Sequence, residues 1–248
     1  MKHIAFIFGY LLFLAVLAGI WWMFRTSTAV LYPSAQPLSV FQDSIEGGSS
    51  RATFSENDSL LSIDILARSG SASPYAGVKL ALVPEAKQAF GNWLNLSRYD
   101  SLSIEVATRR MPQVLLTILT SDPERASSWL DPFGPRFVQH TVKTGRNFQK
   151  TTVALSDFRV PEWWFSFHQI RTPDEFTYLE RAFGFLVLNG FGTMLGIPDE
   201  IQVKKIEVFG VNRRLGSFLL VIALAGSFIF IVTAYRNVRR PHDKPKEK

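Results

Sequence analysis

The stretch Leu102-Ser103-Ile104-Glu105-Val106 places an apolar residue at every second position, near the middle of a chain of 248 residues. This period of two is typical of a β-strand with one face in a core and the other in solvent. Outward along the chain, the same alternation recurs at Leu61, Ile63 and Ile65, at Val78, Leu80 and Leu82, at Val114, Leu116 and Ile118, at Phe137, Val138 and Val142, and at Val153 and Leu155. The pattern predicts a mainly β fold.

Two further runs extend this prediction. The segment Phe183–Leu188 is almost continuously apolar, as expected for a central strand that is covered on both faces. In Ile201–Phe209 the alternation slips at the pair Lys204-Lys205, which indicates a bulge or a change of register. Short polar turns separate the runs, so a sandwich or jelly roll is the predicted architecture. Helix is predicted only as one turn at Ala86–Phe90 and a short surface helix at Pro173–Arg181.

Two apolar runs without a charged residue enclose the strands, Ile4–Phe24 and Leu215–Tyr235. At about 1.5 Å per residue, each is long enough to cross a hydrocarbon core of roughly 30 Å. The pair Trp21-Trp22 fits an interfacial aromatic belt better than the cleavage site of a signal peptide. The sequence therefore predicts an N-terminal transmembrane anchor at 1–25, a linker at 26–39, an extracytoplasmic β-sandwich at 40–211, a C-terminal transmembrane helix at 215–235 and a basic cytoplasmic tail at 236–248.

The charge distribution predicts the orientation. Lysine and arginine dominate the tail 236–248, and Lys2 precedes the first apolar run. Because cytoplasmic flanks collect these residues, we expect both termini in the cytoplasm and the central domain outside. Without these ends the domain carries nearly equal numbers of basic and acidic residues, so most of the formal net charge of +6 lies in the ends, chiefly in the tail. A nucleic-acid partner is excluded, because it would need a concentrated basic face on the domain.

The residue types that catalysis needs are scarce. The chain has no cysteine, four histidines without metal-ligand spacing, and neither a G-x-S-x-G nor an H-E-x-x-H motif. Its paired carboxylates, such as Asp174 and Glu175, adjoin prolines, which is typical of turns and helix starts. We expect a protein that is not an enzyme and has no cofactor and no metal centre. Oxygen atoms of these turns leave a structural calcium ion as a hypothesis.

The aromatic residues are the candidates for ligand binding. Trp129 lies in one aromatic segment, and Trp163-Trp164 lies in another. If the second segment is a strand, its two indole rings face opposite ways and only one of them can be core. Three interpretations stay open: both rings pack in the core, one stacks on a sugar ring, or one contacts a protein or lipid. The full set of predicted ligand-binding residues is Trp129, Asp131, Arg136, Trp163, Trp164, His168 and Arg171.

Four segments together resemble a known family. They are Gly77–Leu80, Leu96–Val106, Thr151–Phe158 and Ile201–Glu207, and the resemblance covers roughly 40–211. In this order they look like the galactose-binding-type jelly rolls. More narrowly, they are similar to the family-eleven carbohydrate-binding modules and to the complex I intermediate-associated domain. The continuation Val160–Trp164 also resembles extracytoplasmic domains of some bacterial membrane sensors. The resemblance implies a jelly roll, and it implies a sugar ligand only weakly, because a fold does not carry a function.

These observations lead to two main hypotheses, and a glycosidase, which would need two facing carboxylates about 5–10 Å apart, is a third option. The first is a protein of the bacterial inner membrane whose periplasmic domain recognises a saccharide or envelope ligand and signals through a membrane protein partner. A partner is expected because only the short tail 236–248 follows the second apolar run. The second hypothesis is an accessory or scaffold subunit that docks another protein. A pocket with one exposed tryptophan edge would favour the first, and a flat apolar patch would favour the second.

Overall fold

A computed structural model of the chain describes residues 2–33, 37–57, 59–70, 73–84, 92–123, 134–171 and 173–239. The chain divides into two compact units. One unit is Thr28–Gly210, and the other combines Met1–Ser27 with Val211–Lys248. The predicted turn at Ala86–Phe90 lies outside the described residues, as does most of the predicted tail.

The larger unit is built from two antiparallel sheets. Its strands are β1 (Thr26–Tyr32), β2 (Leu38–Gln42), β3 (Arg51–Asn57), β4 (Leu60–Leu66), β5 (Ala76–Ala81), β6 (Ser101–Thr108), β7 (Gln113–Thr120), β8 (Arg136–Lys143), β9 (Gln149–Ala154), β10 (Ala182–Asn189) and β11 (Asp199–Val211). The six-stranded sheet has the order β3-β4-β11-β6-β9, and β1 also pairs with β11. The five-stranded sheet has the order β2-β5-β10-β7-β8. The prediction of a mainly β sandwich is therefore confirmed.

The predicted alternation explains the core between the sheets. Ile104 of β6 and Leu116 of β7 are fully buried, and most other apolar members of the alternating runs are buried as well, whereas Leu82 is partly buried. Every residue of β10 is buried on both faces, as the continuous run Phe183–Leu188 predicted. A second apolar cluster covers the outer face of the five-stranded sheet and includes Leu186, Leu188 and Trp164. This outer cluster positions the candidate site.

The irregularity predicted in the last strand is also present. β11 pairs in register with β6 up to Val203, and the register shifts between Val203 and Lys205. The bulge absorbs the Lys204-Lys205 pair, so that Val203 and Ile206 both remain buried.

Two local predictions are wrong, and one condition is not met. The segment 26–39, expected to be a linker, contains β1 and the start of β2, because backbone pairing with β11 and β5 recruits it into the sheets. The strand considered as a condition for the Trp163-Trp164 segment does not form, and residues 162–167 are a short helix, α2 (Glu162–Phe167). The expected helix at Pro173–Arg181 is reduced to a 3₁₀ turn at Leu179–Arg181, because the Asp174 carboxylate bonds to the guanidinium of Arg136.

The smaller unit contains two long helices, α1 (Lys2–Phe24) and α3 (Arg213–Arg239). Phe6–Phe24 and Leu215–Arg236 are long and apolar enough to cross a membrane. The helices pack together through aromatic rings, with Phe230 stacked on Phe6 and Tyr10 at centroid distances of 4.7 and 4.2 Å. The Tyr10 hydroxyl also lies 2.6 Å from Ser227 Oγ, a polar contact of the kind that joins helices in lipid.

Candidate functional site

A row of side chains crosses the outer face of the five-stranded sheet. Strand register places Phe41 opposite Gly77, Gly77 opposite Leu188, Leu188 opposite Leu115, and Leu115 opposite Thr141. These five residues therefore share one face of five adjacent strands. A cleft of about 810 Å³ lies over this row. Its size falls within the range of small-molecule binding sites.

One position in this row, Gly77, carries no side chain. A Cβ atom at this position would lie 2.0 Å from the Val187 carbonyl oxygen and 2.9 Å from Leu188 Cα. Only glycine therefore permits the close approach of β5 and β10 at this point. Leu115, which is partly buried, and Leu188, which is buried, line the cleft beside this position and form its apolar floor.

Aromatic rings form the walls of the cleft. On one side, Phe41 stacks on Tyr75 with centroids 5.5 Å apart. On the other side, Trp163 meets Phe137 edge to face at 5.2 Å. Trp163 is 43% exposed and lines the cleft, whereas Phe137 is largely buried. An indole with one free edge beside an apolar floor provides a stacking surface for a ring-shaped ligand.

The polar groups of the cleft are almost all uncharged. Gln139 and Thr141 of β8 point to the same face as Phe137, and His140 also reaches the rim. The one carboxylate in the lining, Glu46, accepts a hydrogen bond from the Tyr75 hydroxyl at 3.0 Å. Burial raises the pKa of Tyr75, and the hydrogen bond and charge of Glu46 raise it further, so the phenol stays neutral. Neither lysine nor arginine lines this cleft among the described residues.

Beneath the Trp163 wall lies a buried guanidinium. Arg136 is 1% exposed and pairs with Asp122 at 2.9 Å and with Asp174 at 2.5 Å. Its charged group also lies over the ring of Trp164, 4.7 Å from the centroid. Burial alone lowers the pKa of Arg136, but hydrogen bonding to Asp174 and the charges of both carboxylates outweigh this and raise it. The Arg136 cluster is thus a fixed cation under the aromatic wall.

Trp164 locks α2 onto this cluster. Its indole is fully buried, and Nε1 donates a hydrogen bond to the Pro135 carbonyl oxygen at 2.8 Å. The ring of His168, one turn later, packs against it at 4.3 Å. Because Trp163 is the preceding residue of the same rigid helix, its exposed position is set by the anchoring of Trp164.

The structure divides the predicted binding residues that it describes into three groups. Among these described residues, Trp163 alone lines the cleft. Trp164 and Arg136 are brought together, but their burial leaves no surface for a ligand, so they support the wall and do not contact a ligand. His168 packs against Trp164, and Arg171 is exposed outside the cleft lining. Trp129 and Asp131 lie outside the described residues.

Several lining residues escaped the sequence analysis. Phe137, Gln139 and Thr141 form the outward half of β8, and their spacing of two opposite Val138 and Val142 was the signal that could have identified them. Phe41 and Tyr75 carry no such signal, because they reach the cleft from strands far away in sequence. No group of three or more His, Asp or Glu residues in the described part of the chain is placed to hold a metal ion.

The fold has known counterparts among solved structures. No protein-family model matches the chain, and no curated protein matches it. The family 11 carbohydrate-binding module of the cellulosomal cellulase Lic26A-Cel5E of Clostridium thermocellum is similar over 75% of this chain and 95% of the module, with 9% identity and a TM-score of 0.50. A family 11 module from the same organism, in complex with a β-1,3-1,4-mixed-linked tetrasaccharide, matches 75% of this chain and 96% of its own with 9% identity and a TM-score of 0.46.

A family 30 module from a cellulosomal cellulase of Clostridium thermocellum matches 73% of this chain and 96% of its own, with 10% identity and a TM-score of 0.43. At 9% identity, the first likeness shows the fold alone. It confirms the jelly-roll sandwich and the resemblance on which that prediction was based. The function must be argued from the cleft itself.

Proposed function

We propose that the domain binds an uncharged saccharide, without catalysis, in the cleft over the five-stranded sheet. The observation that carries this proposal is the exposed edge of Trp163 beside an apolar floor, with Gln139 and Thr141 within the same lining. A sugar presents apolar ring faces to aromatic side chains and hydroxyl groups to amide and hydroxyl partners. The lining selects against acidic sugars, because it carries the carboxylate of Glu46 and, among the described residues, neither a lysine nor an arginine to pair with an acidic group.

The support for the wall is consistent with such a role. A ring that binds by stacking must be held still, because each side chain ordered on binding reduces the affinity. Trp163 is already fixed by its contact with Phe137 and by the burial of Trp164 in the same helix. The cleft is therefore organised before a ligand arrives.

Two apolar helices extend the proposal to the membrane. In this extended proposal, both helices span the bacterial inner membrane, with the termini in the cytoplasm and the sandwich in the periplasm. Binding of a ligand in the cleft is signalled to a membrane protein partner. Because the chain has no cysteine, single replacements can test the orientation. A membrane-impermeant maleimide should label Thr53→Cys in intact spheroplasts and leave Lys244→Cys unlabelled until the membrane is opened. The reverse labelling would refute this orientation.

The binding experiment uses the full chain in detergent micelles on an array of neutral and acidic glycans. Trp163→Ala should weaken binding to the recognised glycan by about tenfold or more, as expected for an aromatic hot spot. Phe167→Ala is the matched control, because Phe167 is an exposed aromatic residue of the same helix that does not line the cleft. Equal affinity of the two variants, with both folded, would contradict the proposal.

A second candidate function rests on the loop between β10 and β11. Phe191, Met194 and Leu195 are 75%, 59% and 52% exposed, and two of them reach the rim of the cleft. Clustered apolar side chains in solvent are typical of protein docking surfaces. A scaffold function would be favoured if no glycan on the array binds and a photo-crosslinker at position 194 captures one membrane protein in cells.

A further inference from the structure

A second pocket, distinct from the cleft, lies on the six-stranded side of the sandwich. Its volume is about 680 Å³, and it is open to solvent. Six of its seven lining residues are polar or charged, and the lining consists of Ala107, Thr108, Arg109, Arg110, Arg146, Glu200 and Gln202. Three exposed arginine residues thus line one pocket, which we call the arginine pocket.

Two loops and one strand build this pocket. Arg109 and Arg110 follow directly after β6, Arg146 lies between β8 and β9, and Glu200 is the second residue of β11. The N–H of Arg109 donates to the Glu200 carbonyl oxygen at 3.0 Å, and the N–H of Arg110 donates to Asp199 Oδ1 at 2.9 Å. The loop that carries Arg146 is tied to the same place, because the Thr108 N–H donates to the Gly145 carbonyl oxygen at 2.8 Å.

The arginine side chains themselves have no acidic partner. Within the described residues, no carboxylate forms an ion pair with Arg109, Arg110 or Arg146. The nearby acids are already engaged, since Asp199 Oδ1 accepts two backbone N–H groups and Glu200 Oε1 accepts a hydrogen bond from Gln202. Like charges held close together repel, so this arrangement is stabilised when an anion enters.

We propose that the arginine pocket binds a soluble ligand carrying phosphate or sulfate groups. The guanidinium fork matches the geometry of such oxyanions and binds them through two parallel hydrogen bonds. The pocket is larger than a single phosphate needs, and three guanidinium groups fit a ligand with more than one anionic group. Its lining contains no large apolar side chain that could receive a lipid chain, which favours a soluble ligand over a lipid headgroup. This proposal does not depend on the saccharide proposed for the cleft.

The test measures binding of pyrophosphate to the full chain in detergent micelles by isothermal titration calorimetry. The double variant Arg109→Gln/Arg146→Gln should weaken binding by about tenfold or more, because charge-assisted hydrogen bonds are lost. Arg109→Lys/Arg146→Lys keeps the charges without the forks and should lose less. Glu200→Gln should strengthen binding, since it removes the one carboxylate of the lining. Arg98→Gln, an exposed arginine at the other end of β6, should leave the affinity unchanged.

The salt dependence of binding and a comparison with a lipid headgroup extend this test. The affinity for pyrophosphate should fall with rising salt, because exposed charges are screened. Absence of binding at millimolar pyrophosphate, or equal binding by the folded Arg109→Gln/Arg146→Gln variant, would overturn the proposal. Tighter binding of monomeric dihexanoyl phosphatidylglycerol than of pyrophosphate would also overturn it, and would assign the pocket to a lipid headgroup.

Discussion

Replacement of Arg136 with leucine tests the role assigned to the Arg136 cluster. The substitution removes the guanidinium that pairs with Asp122, whose side chain is 1% exposed, and with Asp174, whose side chain is 34% exposed. Asp174 can regain water, but the Asp122 charge cannot. Loss of one partner of a buried ion pair costs about 3–5 kcal/mol, and we expect Arg136→Leu to lower the free energy of unfolding by that amount.

The size of this loss depends on the buried charge of Asp122. A second substitution, which removes that charge, measures its contribution. In Arg136→Leu/Asp122→Asn the buried charge is absent, so the double variant should recover about 1–3 kcal/mol relative to Arg136→Leu. The double variant Arg136→Leu/Asp174→Asn should recover much less of the free energy of unfolding, because the Asp174 side chain is partly hydrated. Urea titration of the full chain in micelles, followed by near-ultraviolet circular dichroism, measures these differences.

The control for this series is Arg51→Leu, an exposed arginine of β3. It should change the free energy of unfolding by no more than about 0.5 kcal/mol. A loss below about 1 kcal/mol for Arg136→Leu, or simple additivity in the double variant, would refute the assignment of Arg136 as the support of the aromatic wall.

Two further predictions concern the sheets. Gly77→Ala should destabilise the domain by about 1–3 kcal/mol in the same urea titration, because the added Cβ would lie 2.0 Å from the Val187 carbonyl oxygen. The control is Gly145→Ala, which should be tolerated because its added Cβ would meet only Gln149 Nε2, at 3.7 Å. Hydrogen bonds from Lys205 and then Lys150 hold the pKa of Glu207 below its ordinary value of 4.5. Its stabilisation is therefore present above pH 4.5 and is lost as the pH falls through the lowered pKa, so the difference in melting temperature between wild type and Glu207→Gln should shrink on acidification below pH 4.5. A difference that is the same at pH 7 and at pH 3 would contradict this.

Strands with an apolar pattern could be predicted from the sequence, and edge strands without one could not. β4 buries alternate side chains, β6 and β7 bury their alternating apolar residues together with most of the residues between them, and β10 is buried throughout. β3 lies at the edge of its sheet and buries only Ala52, so its backbone hydrogen bonds, and not its side chains, hold it there. Such a strand leaves no periodic signal.

The candidate site could be predicted only in part for a related reason. The sequence identified the Trp163-Trp164 pair, and burial of Trp164 decided which of the two rings is free. The rest of the cleft comes from a row of residues on five strands, from Phe41 to Thr141, whose order in the sheet differs from their order in the chain. Arg136 was expected to contact a ligand, and only the position of Asp122 and Asp174 shows that its charge is already neutralised.

The pairing of β11 has a consequence for the synthesis of the protein. β11 pairs with β1, β4 and β6, yet it is the last strand that the structure describes. A nascent chain that has not reached residue 199 therefore exposes the unpaired edges of these three earlier strands, and open edges are where aggregation begins. Helix α3 begins at Arg213, two residues after β11 ends. The ribosome thus delivers the strand that closes the sandwich and the second apolar helix almost together, so the sheets can close only when that helix is also being synthesised.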